Sequence, residues 1–308
     1  MAGSSKKVIY AALIGNALIA VTKFFAAFIT NSSAMLSEGI HSLVDTGNQI
    51  LLLYGIKRAQ KPADEMFPFG YGKEIYFWSF VVAILIFAVG AGVSIYEGVH
   101  RILHPQPMSD VYINYIVLGL AIVFEGIAWM MAMKEFSKQK GERGFVSAIQ
   151  RAKDPSIFVV LFEDTAAILG LLVALLAIFL GQLTGNIYFD GVASVIIGLI
   201  LGATAIWLAY ETKSLLIGER ANSPVVNGIR EIAQNSVQVE HVNEVATIHM
   251  GPDFVLVNLS LDFIDAISAQ DIEQTVSSMT LSIKESYPIV KRVFIEAESR
   301  SQHSKTSK

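Results

Sequence analysis

Apolar residues run along this chain in six stretches, roughly 8–30, 33–57, 74–103, 110–135, 155–183 and 189–211. A helix needs about 20 such residues to cross a bilayer core, and each stretch is long enough. After Gly218 the pattern changes. An amphipathic segment, Val225–Gln234, precedes two alternating runs, Val245–His249 and Phe254–Phe263, then a helix-period segment, Ala269–Ser286, and a last strand-like run, Val290–Ala297. The predicted order is αββαβ, with two helices packed on one face of a three-stranded sheet.

These elements divide the chain into an all-α six-helix transmembrane domain, 1–217, a cytoplasmic α+β domain of the ferredoxin-like class, 218–300, and a disordered polar tail, 301–308. Composition agrees: 53% of the 308 residues are hydrophobic and 16% charged, too apolar for an ordinary soluble protein. Val8–Ile29 is longer than a signal-peptide core and lacks a small-residue cleavage pattern, so it is expected to be retained as the first span. Basic residues gather in alternate connections: Lys6 and Lys7; Lys57, Arg58, Lys61 and Lys73; Lys134, Lys138, Lys140, Arg143, Arg151 and Lys153; then Lys213. The positive-inside rule puts both termini in the cytoplasm or its organellar equivalent, with a bacterial inner membrane as the default in the absence of a transit peptide. Residues 218–300 carry twice as many acids as bases, which argues against nucleic acid as a partner.

The chemistry lies in acids and one imidazole that fall inside apolar stretches. His41 and Asp45, in Ser37-Glu38-Gly39-Ile40-His41-Ser42-Leu43-Val44-Asp45, are four residues apart and project from one helix face, where both can reach one divalent cation. The bland alternative is a buried hydrogen-bonded pair that orients two helices. Glu163-Asp164 is a second acidic element within Ile157–Phe179, where each ionised side chain at the bilayer centre costs about 2.5–3.5 kcal/mol. Glu125 has no base near it in sequence and is read either as a proton or cavity group or as a neutral, hydrogen-bonded acid. Lys23 is expected to snorkel or to pair with an acid, and Asn16 to hydrogen-bond between helices. Glu97 is expected to pair with Arg101, Asp190 to cap the sixth helix, and Gly90, Gly92, Ser94 and Gly98 to permit close helix packing. His241 and His249 are read as structural or surface histidines.

The chain has no cysteine, so a metal must use imidazole, carboxylate, amide or water. One imidazole with several carboxylates suits zinc first, with manganese, iron(II), cobalt and cadmium as alternatives. Such ligands shed protons to bind metal, so metal and protons compete. No phosphate-binding loop with its lysine is present, and no His-Glu-x-x-His helix, so neither ATP as an energy source nor a metallohydrolase is expected; no cofactor is called for.

Several motifs together resemble the cation diffusion facilitator family of divalent-metal/proton antiporters. They are Gly15-Asn16, Ser32-Ser33-Ala34 leading into His41-xxx-Asp45, Phe69-Gly70-Tyr71-Gly72-Lys73-Glu74, Asp164 followed by Gly170, Asp190-Gly191-Val192-Ala193-Ser194, and Ser214-Leu215-Leu216. The resemblance implies a homodimer, a transport site between helices two and five, and alternating access driven by protons. Where many members place a histidine four residues before the helix-five aspartate, this chain has Val160, and Glu163 is the natural substitute, as in the branch resembling zinc transporter nine; Glu163 is read either as a ligand itself or as a hydrogen-bond acceptor behind the ligands. The expected metal set is therefore His41, Asp45, Asp164 and Glu163. A loop metal site is not expected, because the positions that would hold it read Asp64, Phe67 and Tyr71. Nor is one expected in the soluble domain, where Asn243, Asn258, Glu296 and Glu298 stand at the corresponding positions. The resemblance also suggests a Lys73–Glu219 pair. Because Val160 replaces a ligand, a non-transporting scaffold or metal sensor is the competing reading.

Overall fold

The computed structural model describes residues 2–108, 110–140, 144, 148–149 and 152–306. Arg143 and Arg151 of the third basic cluster lie outside the described residues. Six long helices follow the apolar stretches: α1 (Ala2–Thr30), α2 (Ser33–Ala59), α3 (Glu74–Leu103), α4 (Val111–Lys140), α5 (Pro155–Thr184) and α6 (Tyr188–Ile217). All but α2 are long and apolar enough to cross a membrane. Large apolar side chains such as Leu18, Phe28, Tyr112 and Leu199 point outward from them, the surface expected of lipid-facing helices.

Local sequence explains the helix ends. Asn31, with φ 53°, adopts the left-handed conformation that asparagine tolerates and turns the chain from α1 into α2. Asp154 accepts a hydrogen bond from the Ser156 amide at the start of α5, Pro155 occupies the first turn, and Gly185 ends the helix in the left-handed region. Within α3 the chain passes through a π-helical turn, Ile86–Ala91, which a simple 3.6-residue period does not foresee.

Contacts divide the chain into two units, Met1–Arg58 with Glu74–Lys213, and Ala59–Lys73 with Ser214–Lys308. In the first, α4 packs along both α1 and α5. Thr30 donates to Asn114 at 2.8 Å, and Trp129 to Thr165 at 3.0 Å. The glycine-rich face of α3 packs on α6: a Cβ at Gly98 would lie 2.6 Å from the Val195 amide nitrogen and 2.7 Å from the Gly191 carbonyl. Gly92, by contrast, is exposed, so the expected small-residue seam holds for Gly90, Ser94 and Gly98 only. Arg58 pairs with Glu74 at 2.9 Å, tying the end of α2 to the start of α3.

The second unit contains α7 (Ser223–Gln234), β1 (Val239–Gly251), β2 (Phe254–Phe263), α8 (Ala269–Ser286) and β3 (Val290–Ala297). The sheet order is β1-β2-β3, with β1 antiparallel and β3 parallel to the central strand. Val255, Val257, Leu259 and Leu261 alternate along β2 and are fully buried against Val226 and Ile229 of α7 and Met279 and Ile283 of α8. β1 begins six residues earlier than the alternation alone indicates, because its first part pairs with the end of β2, Val239 opposite Phe263. The segment expected to be a disordered tail instead forms a short helix, α9 (Arg300–Thr306). Two bonds anchor it: the Arg300 amide donates to Asp262 at 2.9 Å, and His303 Nδ1 lies 2.8 Å from Glu298.

Candidate metal-transport site

Helix α2 is inside out. Ser37, Glu38, His41, Ser42, Asp45, Asn48 and Gln49 are all buried, while Leu43, Ile50 and Tyr54 are exposed. Spacings of three and four residues line these polar groups along one face, turned into the protein rather than toward lipid. His41 Nδ1 lies 3.4 Å from Asp45 Oδ1, an ion-pair distance at which neither ring nitrogen forms a hydrogen bond.

From α5, Glu163 and Asp164 are each 1% exposed. Glu163 is tied to α2 by Asn48, whose amide donates to Oε1 at 2.8 Å. Glu163, Glu125, Asp164 and Lys23 all stand close enough to Asp45 for their charges to act on it. Among the described residues, no three His, Asp or Glu side chains are already gathered as a metal cage. The polar atoms are there but unspent: both nitrogens of His41, Asp45 Oδ1, Glu163 Oε2 and Asp164 Oδ2 are buried without hydrogen-bond partners. Native proteins rarely leave buried acceptors unpaired, and a cation passing between α2 and α5 is the chemistry this donor set fits.

Lys23 and Glu125 belong to the same interior. Lys23 is fully buried and donates to Glu38 at 3.0 Å and to Ser42 at 2.8 Å, so it pairs with an acid rather than snorkelling. Glu125, without a base nearby in sequence, lies 4.0 Å from the Lys23 ammonium in space. Glu38 escaped the motif-led reading, yet an intramembrane lysine demands a carboxylate, and Glu38 lies one turn before His41 on the same face. Asn16 is buried with its amide nitrogen unpartnered.

Two side chains do other work than expected. Asp190 sits in the first turn of α6, but its carboxylate serves α2: it accepts from the Ser33 amide at 2.6 Å, the Ala34 amide at 3.2 Å and the Ser32 and Ser33 hydroxyls at 2.5 and 2.8 Å. The first amides of a helix lack internal partners, so an acid from a neighbouring helix is as good a cap as a local one. Arg101 accordingly turns to Asp190, at 3.6 Å, to Gln106 and to the Asn31 carbonyl; the ion pair expected with Glu97 yields to one with a better-buried acid. In the second unit, Lys73 reaches the Leu216 carbonyl at 3.5 Å. Asp64 braces the 59–73 loop, accepting from the Tyr71 hydroxyl at 2.6 Å and the Phe67 amide at 2.7 Å. Those two bonds, the hydroxyl's first, hold its carboxyl below the usual aspartate range. His249 is buried and contacts the Gly251 carbonyl through Nδ1. Asn243 bonds Ser260 and the Glu298 carbonyl.

A family model described as the cation efflux transmembrane domain matches residues 9–217. The chain belongs to the cation diffusion facilitator, or cation efflux, family. Human proton-coupled zinc antiporter SLC30A9, mitochondrial, is 34% identical over 83% of this chain and 46% of its own length. Metal tolerance protein C4 of Arabidopsis thaliana is 28% identical over 84% of the chain and 57% of its own length. The manganese efflux system protein MneP of Bacillus subtilis is 24% identical, with 84% of each chain covered. The chain thus spans about half the length of the SLC30A9 relative. In this cation efflux protein the matched segment contains α2, α5 and the whole buried acidic interior.

Proposed function

We propose that this chain is an integral membrane secondary transporter, not an enzyme, that exports a divalent cation, zinc in the first place, in exchange for protons. His41, Asp45, Asp164 and Glu163 are its cargo ligands. The observation that carries the proposal is the inverted α2: a transmembrane-length helix that hides His41 and Asp45 and turns their unpaired atoms toward the interior acids of α5. Burying that many ionisable groups in a bilayer is too costly to persist without a task. Imidazole and carboxylates bind a divalent ion only after losing protons, so one cycle of binding and release exchanges metal for protons. The absence of thiolates favours release.

The proposal extends to architecture. Counting α2 as a span gives six, which places both termini on one side, the cytoplasmic one by the distribution of lysine and arginine. The αββαβ unit is assigned to the ferredoxin-like class and to joining two copies as a homodimer, as the family resemblance implies. A carboxylate-rich ligand set also suits manganese, and a relative named for manganese efflux favours that ion as second cargo.

Purified protein in liposomes under an imposed pH gradient tests this, with uptake measured for zinc, manganese, iron(II), cobalt and cadmium. The wild type should take up zinc and acidify or alkalinise the lumen in step, and Asp164→Ala should not. Failure of every metal to move would replace the transporter with a scaffold or sensor.

A further inference from the structure

Among the described residues of the membrane unit six carboxylates are buried; Asp190 holds Arg101, and of the other five the proposed metal ligands account for three. The other two, Glu38 and Glu125, differ in their circumstances. Glu38 accepts from Lys23 through Oε2 at 3.0 Å while its Oε1 has no hydrogen-bond partner, and Lys23 donates a second bond to the Ser42 hydroxyl. Glu125 lies 4.0 Å from the same ammonium, is 0% exposed, and has no hydrogen-bond partner on either oxygen. One ammonium already engaged with one carboxylate does not compensate a second at that depth. A proton on Glu125 does.

Lys23 of α1, 4.0 Å from Glu125, bonds Glu38 and Ser42 of α2, and one turn on from Glu125 Trp129 donates to Thr165 of α5, so the charged groups of the helices around Glu125 are Lys23 from α1, Glu38 and Asp45 from α2, and Glu163 and Asp164 from α5. Only the first is positive. A divalent cation arriving among Asp45, Glu163 and Asp164 adds two positive charges to this low-dielectric interior, and the largest consequence falls on an acid that is close, unpaired and not itself a ligand. A metal ligand gives up its proton by being coordinated; Glu125 gives up its proton through the field alone.

We propose that Glu125 is a proton-carrying site of the antiport, separate from the metal ligands, and that Lys23 is the positioning residue that keeps it next to the metal's charge. The inference rests on the antiporter reading. In the step, the Glu125 O–H bond breaks as metal binds, the proton passes to water, and the carboxylate left behind is stabilised by the bound cation and Lys23. Release of metal reverses the step and Glu125 takes a proton from the other side.

The test counts protons. Zinc binding to the detergent-solubilised full chain is measured calorimetrically in buffers of different ionisation enthalpy, giving protons released per zinc, and zinc uptake into liposomes is measured with and without a pH gradient. Glu125→Gln should keep zinc affinity within about threefold, release about one proton fewer per zinc, and transport with a weaker response to the gradient than the wild type. An unchanged proton count, or zinc affinity lost altogether, overturns the proposal, the latter by making Glu125 a ligand. If the glutamine variant does not fold, Glu125→Asp serves: a displaced pH profile of proton release supports the proposal and an unmoved one overturns it. Wild-type protein that moves no metal at all would instead defeat the antiporter reading, so the two failures are distinct.

Discussion

Glu38 Oε1 lies where a side chain on Gly170 would begin. The carboxylate of α2 reaches the backbone of α5 because residue 170 has no Cβ, and from there its second oxygen holds Lys23 at 3.0 Å. Gly170→Ala should therefore push Glu38 off its ammonium. A misfit of one methyl group in a packed interior costs about 1–3 kcal/mol, visible as a lower melting temperature in detergent. Shortening the acid in the Glu38→Asp, Gly170→Ala double variant should recover part of the loss; full additivity of the two changes would show that the residues do not meet.

Asp190 holds the first amides of α2 and the guanidinium of Arg101 at once. Asp190→Ala strands both, and removing one partner of a buried ion pair costs about 3–5 kcal/mol. The expected result is little folded protein, with Asp190→Asn milder because its amide oxygen still accepts. Normal yield and thermal stability for the alanine variant would dismiss the cross-helix cap.

The two acids of α5 are distinguishable by charge removal. Asp164→Asn should abolish measurable zinc binding, whereas Glu163→Gln keeps an oxygen that accepts from Asn48 and loses only the negative charge. If Glu163 is a ligand, affinity falls by at least about tenfold, or about 1.4 kcal/mol, in calorimetry. An affinity equal to wild type would reduce Glu163 to an anchor for α2. In the wild type and in Glu163→Gln zinc affinity should weaken as pH is lowered, because protons compete for the same atoms.

Outside the membrane, Asp64 offers a pH test with a clear sign. Its carboxyl is held below the ordinary range by the Tyr71 hydroxyl and then the Phe67 amide. The loop brace is thus fully present above the ordinary aspartate range and is lost as pH falls through the depressed folded value. Tyr71→Phe should move the Asp64 titration back toward its ordinary position in carboxyl NMR of aspartate-labelled protein. A titration unmoved by the substitution would exclude the hydroxyl as the cause.

How much of this was legible beforehand varied with whether the cause was local. Apolar run length is local, and it located the long helices, five of which among the described residues are apolar enough to cross a membrane; β2 was read to the residue because Val255, Val257, Leu259 and Leu261 alternate. His41 and Asp45 were visible because four residues make one helical turn. What escaped depended on partners distant in sequence. Asp190 looked like a cap for its own helix because nothing in its neighbourhood revealed the start of α2, 157 residues away. Arg101 was matched to the acid one turn earlier, although a more buried carboxylate waited on α6. Glu125 had no base near it in sequence, the acid for Lys23 could not be named and Glu38 went unread, because only packing of α1, α2 and α4 makes them one group. The tail past Ser299 lacked an apolar stripe, and its helix depends on Glu298 and Asp262 instead.

The polar stripe of α2 also bears on how the protein enters a membrane. Judged alone, α2 is the least apolar of the six long helices among the described residues, so it gains the least from entering lipid by itself. Lys23 and Glu38 face each other across the short turn at Asn31, which lets α1 and α2 go in as a hairpin whose opposite charges cancel during passage. The acids of α5 come more than a hundred residues after His41 and Asp45 in the chain, so the polar face of α2 is completed only once most of the membrane unit has been made.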